Sequence, residues 1–181
     1  MPDNIVDIDT YSFNKNDNLF LDANIWIYLY GPAQLYCTPK SIYSKALSRI
    51  RTFRSKIFID VQVLSEFINR FVRMEYDSLP GDKKPETFKE FRKSHDFNGV
   101  AKEIAIQAKK IVNSATRIDS GFRTVDIDSL LKEFSTGDSD FNDQIFVELC
   151  KSEGFTFVTH DSDFGKSDMD ILTGNKALLK R

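Results

Sequence analysis

Three short apolar runs, Leu19-Phe20-Leu21, Ile57-Phe58-Ile59 and Phe155-Thr156-Phe157-Val158, are separated by long stretches in which apolar residues recur every three or four positions. Runs this short, without internal alternation, suit strands buried on both faces, and the intervening pattern suits amphipathic helices. Strands that alternate with helices along a chain pair in parallel, because each helix supplies the crossover that returns the chain to the same end of the sheet. The chain is therefore predicted to be α/β, built on a mostly parallel sheet.

The spacing predicts a strand over 19–22 with Asp22 at its end, then a helix over 24–30 capped by Asn24 and closed by Gly31-Pro32. Ile42, Tyr43, Ala46, Leu47 and Ile50 give an amphipathic helix over 41–53, followed by a strand over 56–60 and a helix over 61–73. Ser78, Pro80 and Gly81 mark a loop over 77–82, and Pro85 opens the next helix through Phe88 and Phe91. A longer helix follows over 98–115, and 117–122 reads as a short strand or a loop. Asp126 caps a helix over 127–134, Gly154 stops one over 140–153, and strands are expected over 155–159 and 168–172.

A chain of 181 residues, 41% apolar and 29% charged, is the size and composition of one soluble domain. No apolar stretch approaches the roughly 18 residues of a membrane span. The first seventeen residues have acids and no basic n-region, so a cytoplasmic protein without a signal peptide is expected. Cys37 and Cys150 lack Cys or His neighbours at metal-ligand spacing and read as buried thiols, and two histidines, His95 and His160, exclude a His-rich zinc site. Any chemistry must use carboxylates.

The net charge of −2 conceals a segregation: residues 126–170 hold twelve acids and three bases, whereas 40–56 hold six bases and no acid. An acidic focus and a basic strip are what a metal-dependent enzyme acting on a polyanion needs, although either can also be a solvated helix face. In open α/β sheets functional groups gather beyond the carboxyl ends of the strands. Asp22 and Asp161 follow strands at that edge, while Glu66 and Asp143 lie on helices that begin one short element away. Four carboxylates in one place repel one another unless a cation joins them, and all-oxygen ligands select Mg²⁺ or Mn²⁺.

Asp22-Ala23-Asn24-Ile25, Leu64-Ser65-Glu66-Phe67, Asn142-Asp143-Gln144-Ile145 and Val158-Thr159-His160-Asp161-Ser162-Asp163-Phe164 resemble, in type, order and spacing, the PIN-domain family of VapC-like endoribonucleases. The resemblance spans nearly the whole chain. It implies a three-layer α/β/α sandwich as one domain over 1–181, with a helical insertion around 76–116, of which the stretch 76–98 is longer than the helical hairpin of the smallest toxin members. By the same resemblance Asp22, Glu66, Asp143 and Asp161 are metal-binding catalytic acids with Asn24 and Thr159 as polar supports. Ser65 either orients Glu66 or caps locally. Asp140 and Asp163 compete for ligand roles, the first as a helix cap and the second through water. The implied activity is Mg²⁺- or Mn²⁺-dependent hydrolysis of single-stranded or structured RNA, often as the toxin of a type II toxin-antitoxin pair, with an antitoxin and a homodimer as the partners to test and no membrane.

Lys40, Lys45, Arg49, Arg51 and Arg54 are the bases expected to contact RNA phosphates. Arg70, one turn beyond Glu66, offers a salt bridge as the bland account of that acid. A response-regulator fold would need a Lys after Thr159, and a haloacid-dehalogenase fold an Asp-x-Asp where Asp22-Ala23-Asn24 stands. The remaining alternative is a non-catalytic RNA-binding or protein-interaction module on the same fold.

Overall fold

The computed structural model describes residues 5–32, 37–137 and 140–180, without the side chain of residue 37, so the burial expected of Cys37 lies outside the described residues. Along the described chain run β1 (Ile5–Asp7), β2 (Asn18–Leu21), α1 (Ala23–Tyr30), α2 (Cys37–Phe53), β3 (Lys56–Ile59), α3 (Val61–Ser78), α4 (Phe88–Phe91), α5 (Phe97–Ser114), β4 (Thr116–Arg117), α6 (Ile127–Phe134), α7 (Phe141–Glu153), β5 (Thr156–Val158), a 3₁₀ turn (Ser162–Lys166) and β6 (Ile171–Thr173). The six strands form one sheet in the order β1-β6-β5-β2-β3-β4, and every pairing is parallel.

The apolar runs are short because each strand is covered on both faces. Phe58, Phe20 and Phe157 are register neighbours on β3, β2 and β5 and project from one face of the sheet. There Phe146 of α7 meets the rings of Phe20 and Phe157 at 5.9 and 6.2 Å, and Phe164 of the 3₁₀ turn meets Phe157 at 4.9 Å. Leu19 and Leu21 point the other way, and α1 packs on α2 and α3, and α3 on α5, to make the second helical layer. The result is the three-layer α/β/α arrangement.

Local chemistry corrects several expected boundaries. Asp22, not Asn24, caps α1, because its carboxylate reaches the Asn24 amide from an extended backbone while Asn24 already lies inside the helix. Thr87 and Glu90 form a reciprocal capping box at α4, so Pro85 precedes that helix rather than opening it. The last strand begins at Ile171, later than position 168, and β1 is additional: its three residues are too short to show a period. Asp126, Asp140 and Gly154 delimit α6 and α7 as expected, with Gly154 at φ 64° where a side chain is disfavoured.

Candidate functional site

Leu21 of β2 pairs with Val158 of β5, so the first residues beyond these two strands, Asp22 and Thr159, come out side by side at the carboxyl edge of the sheet. The Asp22 amide still donates to Val158 O at 3.0 Å, which holds its side chain at that edge. Asp22 Oδ2 accepts from Thr159 Oγ1 and from Asn24 Nδ2, both at 2.6 Å, and Oδ1 accepts the longer bond from the Asn24 amide at 3.3 Å. Thr159 Oγ1 in turn accepts the Asp161 amide at 3.0 Å, and Asn24 Oδ1 accepts the His160 amide at 3.3 Å. All three side chains are buried.

These bonds favour the ionised carboxylate, yet burial outweighs them, and with the charges of Glu66 and Asp161 it pushes Asp22 up to about 6. Asp143, in the first turn of α7, is pushed up to about 7, by burial first and then by Asp140, Asp161, Asp22 and Asp163. Asp161 thus acts on both Asp22 and Asp143, Asp22 acts on Asp143, and Glu66 acts on Asp22 alone. Asp161 caps the 3₁₀ turn through the Asp163 amide at 3.0 Å, and Asp140 caps α7 through the Asn142 amide at 2.8 Å.

Glu66 stands somewhat apart, because Arg70 holds its Oε1 at 3.2 Å in an exposed pair. The hydroxyl of Ser65 accepts from Asn69 Nδ2 at 3.4 Å. Among the described residues no group of three or more His, Cys, Asp or Glu side chains is arranged to hold a metal ion. A cation that keeps several of its waters needs only one or two direct carboxylates, and a surplus of raised, oxygen-only acids without an equal number of bases suits it.

The basic strip divides. Tyr43 of α2 is tied to the carboxyl edge, its hydroxyl lying 3.3 Å from Thr159 O, 2.9 Å from His160 Nδ1 and 3.0 Å from the Gly174 amide that donates to it. From there α2 runs back toward Lys56, where β3 begins, so each later base is farther from Asp22. Lys40 sits about one turn before Tyr43 and Lys45 is exposed just after it. Arg51 donates to Tyr30 Oη at 3.1 Å, and Arg54 closes the helix at φ 58°. Arg49 is committed to the carbonyls of Ile8, Asp9 and Tyr11 and lies over the Phe13 ring.

Two features were not singled out from sequence. Asp60 follows β3 as Asp22 follows β2; it is buried, caps α3 through the Val63 amide at 2.9 Å, and its Oδ2 has no hydrogen-bond partner among the described residues. The repeated pattern of apolar run, Asp and helix was the available signal. The Tyr43-His160-Gly174 knot joins positions more than a hundred residues apart and leaves no local trace.

A PIN domain family profile matches residues 19–168. Among solved structures, the chain is similar to VapBC2 from Rickettsia felis, solved bound to a DNA fragment from its promoter: 17% identity over 87% of this chain and 98% of that one, with a TM-score of 0.52. It is also similar to PAE2754 from Pyrobaculum aerophilum: 14% identity over 91% of this chain and 96% of that one, with a TM-score of 0.51. At those identities the likeness is one of fold. No curated protein matches the chain.

Proposed function

The chain belongs to the PIN-domain family, and on that premise we propose that it is a Mg²⁺- or Mn²⁺-dependent endoribonuclease whose catalytic, metal-binding acids are Asp22, Glu66, Asp143 and Asp161. The observation that carries this reading is the shared field at the sheet edge, in which burial and neighbouring carboxylates raise Asp22 to about 6 and Asp143 to about 7. Neither acid has a basic partner among the described hydrogen bonds and ion pairs. A bound divalent cation would offset that charge, lower the pKa of a coordinated water and stabilise charge developing on the phosphate.

The chain's own groups prepare for it. Thr159 and Asn24 hold Asp22 through Oδ2 and leave Oδ1 with only one long bond. Asp140 and Asp163 enter through the field they impose on Asp143, and either would reach the ion through water. Single-stranded RNA is the favoured form, since its unstacked bases can be splayed across an open edge.

On the likeness to VapBC2, we assign the chain as the toxin of a toxin-antitoxin pair acting in the cytoplasm, with one domain and α4 and α5 as its helical insertion. Among the described residues no helix is long and apolar enough to cross a membrane. The Glu66–Arg70 pair favours a second reading, a non-catalytic module in which that acid is a surface salt bridge. Cleavage of a labelled single-stranded RNA separates the two. The nuclease cuts with Mn²⁺, stops in EDTA and is lost in Asp22→Asn; a wild type that cuts nothing under any of these conditions supports the module.

A further inference from the structure

A cavity of about 1130 Å³ opens beside Asp143 and follows the outer side of α7, between α6 and the 3₁₀ turn. It runs from Asp140 to Lys151, about 16 Å of helix, with Leu130, Phe134, Val147 and Phe164 as its apolar lining. Phe134 is 49% exposed although it closes α6, and its only described ring neighbour is Phe141, edge-on at 6.2 Å. Farther along, Glu148 and Lys151 stand one turn apart on α7 with Oε1 and Nζ 3.9 Å apart, a loose pair that Asp168 shares at 3.7 Å.

Acids outnumber bases in this lining, so a phosphate backbone is repelled from the trench and held back at the sheet edge. An extruded nucleobase carries no charge and has a face for Phe134. Guanine is distinct among the four bases in presenting, side by side, two donors (N2–H and N1–H) and an acceptor (O6). A carboxylate beside an ammonium is the complement of that edge. Adenine, cytosine and uracil each set an acceptor against the carboxylate.

We propose that this trench is a guanine pocket for the RNA strand whose phosphate lies at Asp22 and Asp143: Phe134 stacks on the base, Glu148 accepts from N1–H and N2–H, and Lys151 donates to O6. The assignment rests on the ribonuclease reading for its substrate class. It makes Glu148 and Lys151 the residues that choose where the strand is cut and Phe134 the platform that holds the base.

The test is fluorescence anisotropy of the full chain in Ca²⁺, which takes oxygen ligands and offsets the acids at the sheet edge, with a labelled oligouridine carrying one central guanosine, adenosine or inosine. Guanosine should bind roughly tenfold tighter than adenosine, the discrimination of one good bidentate base contact, and inosine, which lacks the N2 amino group, should fall between them. Glu148→Gln should erase the preference with unchanged melting temperature, whereas Phe134→Ala should weaken guanosine and adenosine alike, since stacking does not distinguish bases, and Phe134→Trp should restore the lost affinity. Equal binding of guanosine and adenosine, a preference that survives Glu148→Gln, or a Phe134→Ala variant that binds as tightly as wild type overturns the proposal. So does a Glu148→Gln variant that loses affinity for an oligolysine peptide but not for RNA, which would make the trench a protein-docking surface. Because the assay needs no cleavage, a wild type that prefers guanosine but cuts nothing removes the nuclease and keeps the pocket; one that cuts without preference does the reverse.

Discussion

Thr159 donates its hydroxyl proton to Asp22 Oδ2 at 2.6 Å across the ends of two neighbouring parallel strands, and Thr159 Oγ1 in turn accepts the Asp161 amide. One buried hydroxyl thus fixes two of the four acids. Thr159→Val keeps the shape and removes both bonds, together with the one that Thr159 Oγ1 accepts from Asn24 Nδ2 at 3.2 Å. Unfolding in denaturant should show a loss of about 2–3 kcal/mol, the range for a bond to a charged group plus an orphaned amide, and Mn²⁺ affinity should fall roughly 10–100-fold, as for other groups that orient a ligand. A variant as stable and as metal-avid as wild type would show that the clamp does not matter.

Asp143 gives a pH signature. A carboxyl raised above its unfolded value favours the folded state while protonated, so that stability is full below the unfolded pKa near 4 and is lost as pH climbs through about 7. In EDTA the protein should melt at a lower temperature at about pH 7.5 than at about pH 5.5. Asp143→Asn should flatten that fall and raise stability at the higher pH by about 1 kcal/mol, a figure reduced for partial solvent screening. Thermal melts at the two pH values decide it, and an unaltered profile counts against the shared field.

Glu66 and Arg70 form an exposed i,i+4 pair at 3.2 Å, of a kind worth only about 0.3–0.5 kcal/mol. Removing the cation with Arg70→Gln should barely move the melting temperature. If Glu66 serves the metal, the same change releases it and tightens Mn²⁺ binding several-fold, whereas Glu66→Gln weakens it. Calorimetric titration distinguishes these outcomes, and no response to either substitution would leave Glu66 a surface acid.

Arg49 is spent on the carbonyls of Ile8, Asp9 and Tyr11, while Lys40 lies near the end of α2 that touches the sheet edge. Arg49→Ala should cost stability and leave the salt dependence of RNA binding unchanged. Lys40→Ala should do the opposite, lowering the slope of log K against log salt by about 1. Binding isotherms over a salt series report both.

How much of this was legible in the sequence follows from the range of the interactions. Leu19–Leu21, Ile57–Ile59 and Phe155–Val158 announced strands because burial on both faces admits only apolar residues, and Asp126, Asp140 and Gly154 announced helix ends because caps are local chemistry. Asp22 was placed at a strand end, where a cap was one reading of it, but the cap was given to Asn24, which two residues on is an equally good cap by type. The destination of Arg49 could not be read at all. Its partners lie about forty residues earlier, and only the parallel docking of β1 against β6 brings them to α2. The basic strip looked uniform in sequence and is divided in space, because a helix of 17 residues spans about 25 Å.

The central claim is that Asp22, Glu66, Asp143 and Asp161 act as one cation site, and calorimetric titration of Mn²⁺ into the wild type and the four single Asn or Gln variants tests it most directly. The wild type should bind saturably and each variant should lose at least tenfold in affinity, with the largest losses at Asp22 and Asp143. A wild type that binds no Mn²⁺, or variants that bind it as the wild type does, would contradict it.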